Sequence, residues 1–304
     1  MADIKIKIAG IKMKNPVMLA SGTCGFGEEF SRIFDLNLLG GIIVKGTTLK
    51  PRAGNKPPRA AETPYGMLNS IGLQNPGVEA VIEEKLPFLR QFDLPVFVNI
   101  SGNSKEEYAE LARLLGKAKG VSALEVNISC PNVKHKNSGL FCQDLGDVYA
   151  ITRAVKRKSK VPVFVKLSAE VSDFKETVKT AVRAGADGLS LINTLRGMAI
   201  DIKTGRPKLA NIIGGLSGPA IKPVGIRAVY EAFSAVKVPI IGMGGIASAE
   251  DALEYFFAGA SAIAVGTASF YDPLTPLSIV KGLKKHFEDN PSDSVPGIRG
   301  RISF

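Results

Sequence analysis

The chain alternates, along almost its whole length, between short apolar runs that stop at Gly, Ser, Asn or Thr and longer amphipathic stretches. Runs of that kind read as parallel strands buried on both faces, and the stretches between them as the helices that cover them. Eight runs fit: Val17–Ala20, Gly41–Val44, Val96–Ile100, Ala123–Ile128, Val163–Leu167, Gly188–Ile192, Ile240–Met243 and Ala262–Val265. Helical periodicity is clearest over Lys105–Lys119, Phe174–Ala184, Ile221–Val236, Ala249–Ala258 and Pro276–Phe287. Ala184-Gly185-Ala186-Asp187-Gly188 and Ala258-Gly259-Ala260-Ser261-Ala262 are matching helix-to-strand turns, each with Gly just past the helix end. No linker or low-complexity segment divides the 304 residues. The expectation is one domain, residues 1–304, folded as an α/β (β/α)8 TIM barrel. Residues 4–13 alternate apolar and polar around Ala9-Gly10 and predict a short N-terminal β-hairpin. A doubly wound open sheet is the alternative. It calls for a Gly-rich turn after the first strand, which Ser21-Gly22-Thr23-Cys24-Gly25 matches poorly.

In such a barrel the chemistry belongs at the C-terminal ends of the strands. Lys45, Asn99, Asn127, Lys166 and Asn193-Thr194 stand at the ends of strands two to six. One lysine there could snorkel to water. Two lysines and three asparagines at the same end suggest a planar polar ligand held by hydrogen bonds. Two long segments, 46–80 and 129–143, leave from the same face, and long ordered loops are usually functional. Ile241-Gly242-Met243-Gly244-Gly245-Ile246 and Ala264-Val265-Gly266-Thr267-Ala268 follow the last two strands. Glycines there serve tight turns, or let backbone amides approach a phosphate. The loops after strands seven and eight are the usual phosphate site of a barrel. Phosphate at that end and a ring at the barrel mouth would suit a flavin.

Strand four runs into Asn127-Ile128-Ser129-Cys130-Pro131-Asn132. Pro131 lacks a backbone donor and disfavours helix at Cys130, so the strand should stop there. Cys130 is either a buried structural cysteine or a reactive thiol among amides.

Composition narrows the classes. Hydrophobic residues make up 45% of the chain, yet no apolar run reaches the roughly 18 residues that span a bilayer. The N-terminus lacks a signal peptide's apolar core. Three cysteines without metal-site spacing fit a reduced cytoplasmic protein. With only His135 and His286, a His-based metal centre or a Ser-His-Asp triad is poorly supplied. The net charge of +11 is spread out, and no nucleic-acid module is present. The one dense cluster, Arg153, Lys156, Arg157, Lys158 and Lys160, reads as a helix C-terminus, where cations complement the dipole, rather than as a binding patch.

Asn127-Ile128-Ser129-Cys130-Pro131-Asn132, Asn69-Ser70-Ile71-Gly72-Leu73-Gln74-Asn75, Lys45-Gly46, Ile192-Asn193-Thr194 and Gly242-Met243-Gly244-Gly245-Ile246 together resemble the dihydroorotate dehydrogenases. The resemblance spans nearly the whole chain. It implies an FMN barrel that oxidises dihydroorotate to orotate in pyrimidine synthesis. Cys130 matches the cysteine base of the class 1 enzymes. The membrane-bound, quinone-linked class has serine there and an N-terminal extension not seen here. Gln74-Asn75-Pro76-Gly77 resembles the NAD-linked type (1B). The fumarate-linked type (1A) has proline where Gln74 stands. The resemblance further implies FMN contacts at Ser21, Lys45, Gly46, Asn99, Asn127, Lys166, Ile192, Gly218, Gly244, Gly245, Gly266 and Thr267. It implies orotate contacts at Lys45, Asn69, Ser70, Ile71, Gly72, Leu73, Asn127, Asn193 and Thr194. Cys24 and Cys142 match no catalytic position.

The chemistry is consistent with these residues. Dihydroorotate must lose a proton from C5 and a hydride from C6, so the site needs one base and a rigidly held substrate. An unperturbed thiol ionises near about 8.5, so activity should rise toward alkaline pH unless a nearby lysine lowers that value. Amides and Lys45 can neutralise charge on the substrate carbonyl and carboxylate. Segment 129–143 is expected to close over the substrate. The chain has no CxxC pair and no Rossmann fingerprint. NAD reduction then requires a partner subunit carrying FAD and a [2Fe–2S] cluster, on a homodimer of this chain within a heterotetramer. A fumarate-linked enzyme, a dihydropyrimidine dehydrogenase-like FMN barrel and a phosphate-binding barrel without flavin remain alternatives.

Overall fold

The structure is a computed structural model that describes residues 2–129 and 141–303; Cys130 and the rest of 130–140 lie outside the described residues. Eight parallel strands close into a barrel: Val17–Leu19, Gly41–Thr47, Val96–Ile100, Ala123–Asn127, Val163–Leu167, Gly188–Leu191, Ile240–Met243 and Ala262–Val265. Neighbours in the chain are neighbours in the barrel, and the eighth strand pairs back onto the first, Ile263 opposite Val17. Closure leaves no barrel strand with an open edge. Strand two runs further than expected, through Lys45 to Thr47, with an irregular register between Val44 and Thr47. The expected hairpin pairs Ile6–Ile8 with Ile11–Met13. Ala9 (φ 44°) and Gly10 (φ 86°) supply the two left-handed residues that match a tight turn to the strand twist.

Helices follow the strands where local signals put them. Ser104 caps Lys105–Leu115, Asp173 caps Phe174–Arg183, and Ser248 with Asp251 forms a capping box on Ala249–Ala258. Lys156, Arg157 and Lys158 of the basic cluster fall in the last turn of Leu145–Lys158, where Lys156 pairs with Asp187 across the turn into strand six. Among the described residues no helix is long and apolar enough to cross a membrane.

Inside the barrel the side chains lie in layers. Phe97 and Phe164, both fully buried, meet edge to face with ring centroids 5.2 Å apart. Two residues further along the same strands stand Asn99 and Lys166. Register sets Glu125 beside Asn99 and Asn127 beside Lys166, so the interior turns polar one layer above the rings.

The reading of 46–80 as loop needs correction. It contains two antiparallel strands, Ala60–Thr63 and Gly66–Asn69. These join Ile213–Ser217 and Leu195–Met198 in a four-stranded sheet outside the barrel. A third long excursion, 193–217, therefore follows strand six, and nothing local announces it. Gly197, Gly214 and Gly215 weaken any strand pattern there, because strand propensity is largely packing by neighbours. A Cβ on Gly214 would lie 2.6 Å from the Asn69 carbonyl oxygen, so close strand approach requires glycine.

The layer of rings yields a prediction. Gly188 faces Phe164 in register, and a Cβ there would lie 2.2 Å from a carbon of its ring. Gly188→Ala should destabilise the protein by about 1–3 kcal/mol through overpacking. Urea unfolding should show a lower midpoint with an unchanged slope; an unchanged midpoint would mean that the ring moves freely.

Candidate active site

A cavity of about 550 Å³ opens at the C-terminal ends of the barrel strands. That is the size range of small-molecule sites. Of the candidate residues that are described, all but Ser70 line it. The Ser70 backbone is tied instead to Arg59 and Asn55, and its fully buried hydroxyl has no hydrogen-bond partner among the described residues. Cys130 lies outside the described residues.

Ser21, Asn99 and Lys166 at the floor gather around a carboxylate buried beneath it. Glu125 is fully buried, and its Oε2 accepts from Ser21 Oγ at 3.0 Å and from Asn99 Nδ2 at 2.5 Å. Lys166 Nζ donates to Ser21 Oγ at 3.0 Å and lies 3.7 Å from the same carboxylate oxygen. Asn99 thereby has its amide orientation fixed. Its Oδ1 is left without a partner among the described residues and faces Gly46, where a Cβ would stand 2.9 Å away.

A second cluster lies beside it. Asn193 Nδ2 donates to Ser129 Oγ at 3.0 Å and to Asn127 Oδ1 at 3.3 Å, while its own Oδ1 accepts from Thr194 N at 2.9 Å. Asn69 reaches the cavity from the outer sheet, with Nδ2 on the Gly215 carbonyl at 3.4 Å. The loop after it is clamped by Asn75. Asn75 Oδ1 accepts from Thr48 N and Gly77 N, and its Nδ2 donates to Thr48 Oγ1 and Leu73 O. Lys45 lies partly buried in the wall. Burial, with Arg59 nearby, holds its ammonium below the ordinary lysine range.

The opposite end is a backbone cradle. Gly244 (φ 118°) and Gly245 (φ 73°) adopt left-handed conformations that strain other residues. A Cβ on Gly245 would lie 2.9 Å from the Gly218 carbonyl oxygen. Tyr255 Oη, donating to Gly244 O at 2.7 Å, props the turn from below. Lys222, at the start of the helix Lys222–Ala235, is held by Asp251 and Glu254, both at 2.6 Å. With that lysine engaged, the groups this end offers an anion are backbone amides. Gly266 differs: a Cβ there meets only Ala20 and Thr23, at 3.6 and 3.8 Å.

These features fit FMN. The cavity is large enough, the glycine cradle suits a phosphate, and Asn99 Oδ1, without a partner among the described residues, offers an acceptor to a ring N–H. Cys24 and Cys142 take no part in the wall. Burial pushes their thiols up to about 12 and about 11, which keeps them protonated near neutrality. Among the described residues no group of His, Cys, Asp and Glu could hold a metal ion.

Sequence reasoning missed Glu125, although a carboxylate inside the apolar run Ala123–Ile128 was a visible signal. It also missed Ala60, Met67, Gly215 and Ser217, which line the cavity from the outer sheet and carry no local signature.

A family model described as dihydroorotate dehydrogenase matches residues 3–287. A relative from Geobacillus kaustophilus (strain HTA426), named dihydroorotate dehydrogenase B (NAD(+)), catalytic subunit, is 55% identical over 290 residues, covering 95% of this chain and 92% of the relative. One of the same name from Geotalea uraniireducens (strain Rf4) is 52% identical over 300 residues, covering 99% of this chain and 98% of the relative. Among solved structures, DHODH in complex with ferulenol from Eimeria tenella superposes with a TM-score of 0.82 at 23% identity, covering 98% of this chain and 88% of that one. That likeness supports the fold.

The lowered Lys45 ammonium has a consequence for stability. A lysine whose folded-state pKa lies below its ordinary 10.5 costs stability at neutral pH, and the cost fades as pH rises toward that value. Without ligand, Lys45→Met should resist urea better than the parent at pH 7, with the gap closing near pH 10. An anionic ligand should stabilise the parent and not the variant. Equal midpoints at pH 7 would count against a desolvated lysine.

Proposed function

The chain belongs to the dihydroorotate dehydrogenase family, and on that premise we propose the residue roles, cofactors and assembly that follow. It oxidises (S)-dihydroorotate to orotate in pyrimidine biosynthesis as an NAD-linked, B-type catalytic subunit, as its relatives are named. The observation that carries the reading is one cavity with a cluster of amides and a lysine on one side and a glycine cradle on the other. Residues 1–304 form one FMN-binding domain.

FMN, when bound, supplies the hydride acceptor. The chain binds it, one per chain, through Ser21, Lys45, Gly46, Asn99, Asn127, Lys166 and Ile192 at the ring and ribityl end. Gly218, Gly244, Gly245, Gly266 and Thr267 hold its phosphate. The substrate is held by Lys45, Asn69, Ile71, Gly72, Leu73, Asn127, Asn193 and Thr194, with Ser70 acting only through the loop backbone. The paired Asn127 and Asn193 amides fix one another, so their remaining groups meet the substrate already oriented. Lys45 neutralises substrate negative charge, and an anionic ligand restores what burial takes from its ammonium. Cys130 takes the C5 proton while the C6 hydride departs, leaving the C5–C6 double bond of orotate.

The electrons leave through a partner. The relatives' names include "catalytic subunit", which supports a second subunit. We assign to that subunit an FAD and a [2Fe–2S] cluster. The assembly is a cytoplasmic heterotetramer built on a homodimer of this chain.

Cys130→Ala should leave FMN bound and slow flavin reduction by dihydroorotate about 10²-fold or more, the usual contribution of a general base. In the parent that rate should rise from pH 6 to pH 9 as the thiol ionises. Stopped-flow reduction at constant substrate measures both, and parent-like reduction by the variant removes Cys130 from the mechanism. Gly266→Val, whose Cβ would make only ordinary contacts with Ala20 and Thr23, should give folded but colourless protein; normal FMN affinity by fluorescence titration would place the cofactor elsewhere. Isolated chain should reduce dyes but not NAD. NADH formation matching its dye turnover would rule out the partner, and rapid reoxidation by fumarate would indicate the fumarate-linked type.

A further inference from the structure

We propose that Glu125 is a positioning residue of the flavin site, which orients Asn99 and offsets the Lys166 charge, and thereby lowers the reduction potential of the bound flavin. The proposal rests on the FMN reading above. Glu125 does not line the cavity; it lies one shell beneath it, fully buried on the fourth barrel strand. Its Oε2 meets three residues that do line the cavity: Ser21 at 3.0 Å, Asn99 at 2.5 Å and Lys166 at 3.7 Å. Its Oε1 has no hydrogen-bond partner among the described residues. The carboxylate therefore acts on the ligand only through these neighbours and through its field.

Both effects have a definite direction. The Asn99 amide could present either end to the cavity. With Nδ2 committed to Glu125, Oδ1 is the end left over. Lys166 is buried with one carboxylate beside it, so the pair brings little net charge to the floor of the cavity. A bound flavin gains an electron pair and takes up one proton on reduction, so it gains negative charge. An unopposed lysine beneath it would favour the reduced form, and the carboxylate opposes that bias. Unit charges about 10 Å apart at an effective dielectric near 20 shift such an equilibrium by roughly tenfold.

The test is a spectroelectrochemical titration of the holoprotein. Glu125→Gln should remain yellow and shift the equilibrium about tenfold toward reduced flavin, about 30 mV upward for a two-electron couple. Lys166→Met should shift it downward. The double variant should return to within about threefold of the parent. A purely structural counter-ion would change stability and leave the potential alone, so a Glu125→Gln holoprotein with the parent's potential overturns the proposal while the FMN reading stands. Parent protein that binds no flavin overturns both. If Glu125→Gln does not fold, the double variant, which lacks both buried charges, is compared with Lys166→Met alone. The same tenfold upward shift supports the proposal, and equal potentials overturn it.

Discussion

A lysine inside a closed barrel must be matched by a counter-charge, and much of this site follows from how that demand is met. Lys166 occupies an inward position on strand five, sealed by neighbouring strands, with Glu125 3.7 Å away on strand four. Taking both charges from water costs more than an apolar pair of similar size would. The pair therefore earns its place through what it organises. It marks where the Phe97–Phe164 layer ends and the polar floor begins, and it fixes Ser21 and Asn99 by hydrogen bonds.

The rest of the cavity is built outward from that floor. The barrel supplies one wall, and the outer sheet, made from two excursions of the chain, supplies the other. That sheet carries Asn69 and Gly215 to the mouth, and Asn75 anchors the following loop to strand two through Thr48. A substrate entering this space meets groups already held by one another. The reorganisation that would slow hydride and proton loss is therefore largely made during folding.

The same arrangement separates binding from stability. The Lys45 ammonium is disfavoured by burial, and the Asn99 acceptor has no partner among the described residues. Both costs are offset opposite an anionic, hydrogen-bonding ligand. Such sites are where proteins accept local cost.

The barrel was legible in the sequence because its signals are local. Eight short apolar runs, their polar ends and the glycines after helices act within a few residues of one another. The site candidates at the barrel strand ends reach the cavity because inward-facing ends in a parallel barrel converge on one rim, whereas Asn69 and the loop after it arrive from the outer sheet. The outer sheet was not legible: Asn69 and Gly215 pair across 146 residues, and glycine-rich strands carry no period of their own. Nor was the direction of Ser70, or the task of Glu125, whose partners come from strands one, three and five. Hydrophobic period and turn chemistry determine which elements form and where the active rim lies. Which distant side chains share a proton donor or a charge is decided only when the barrel closes, because those contacts exist between strands and not along them.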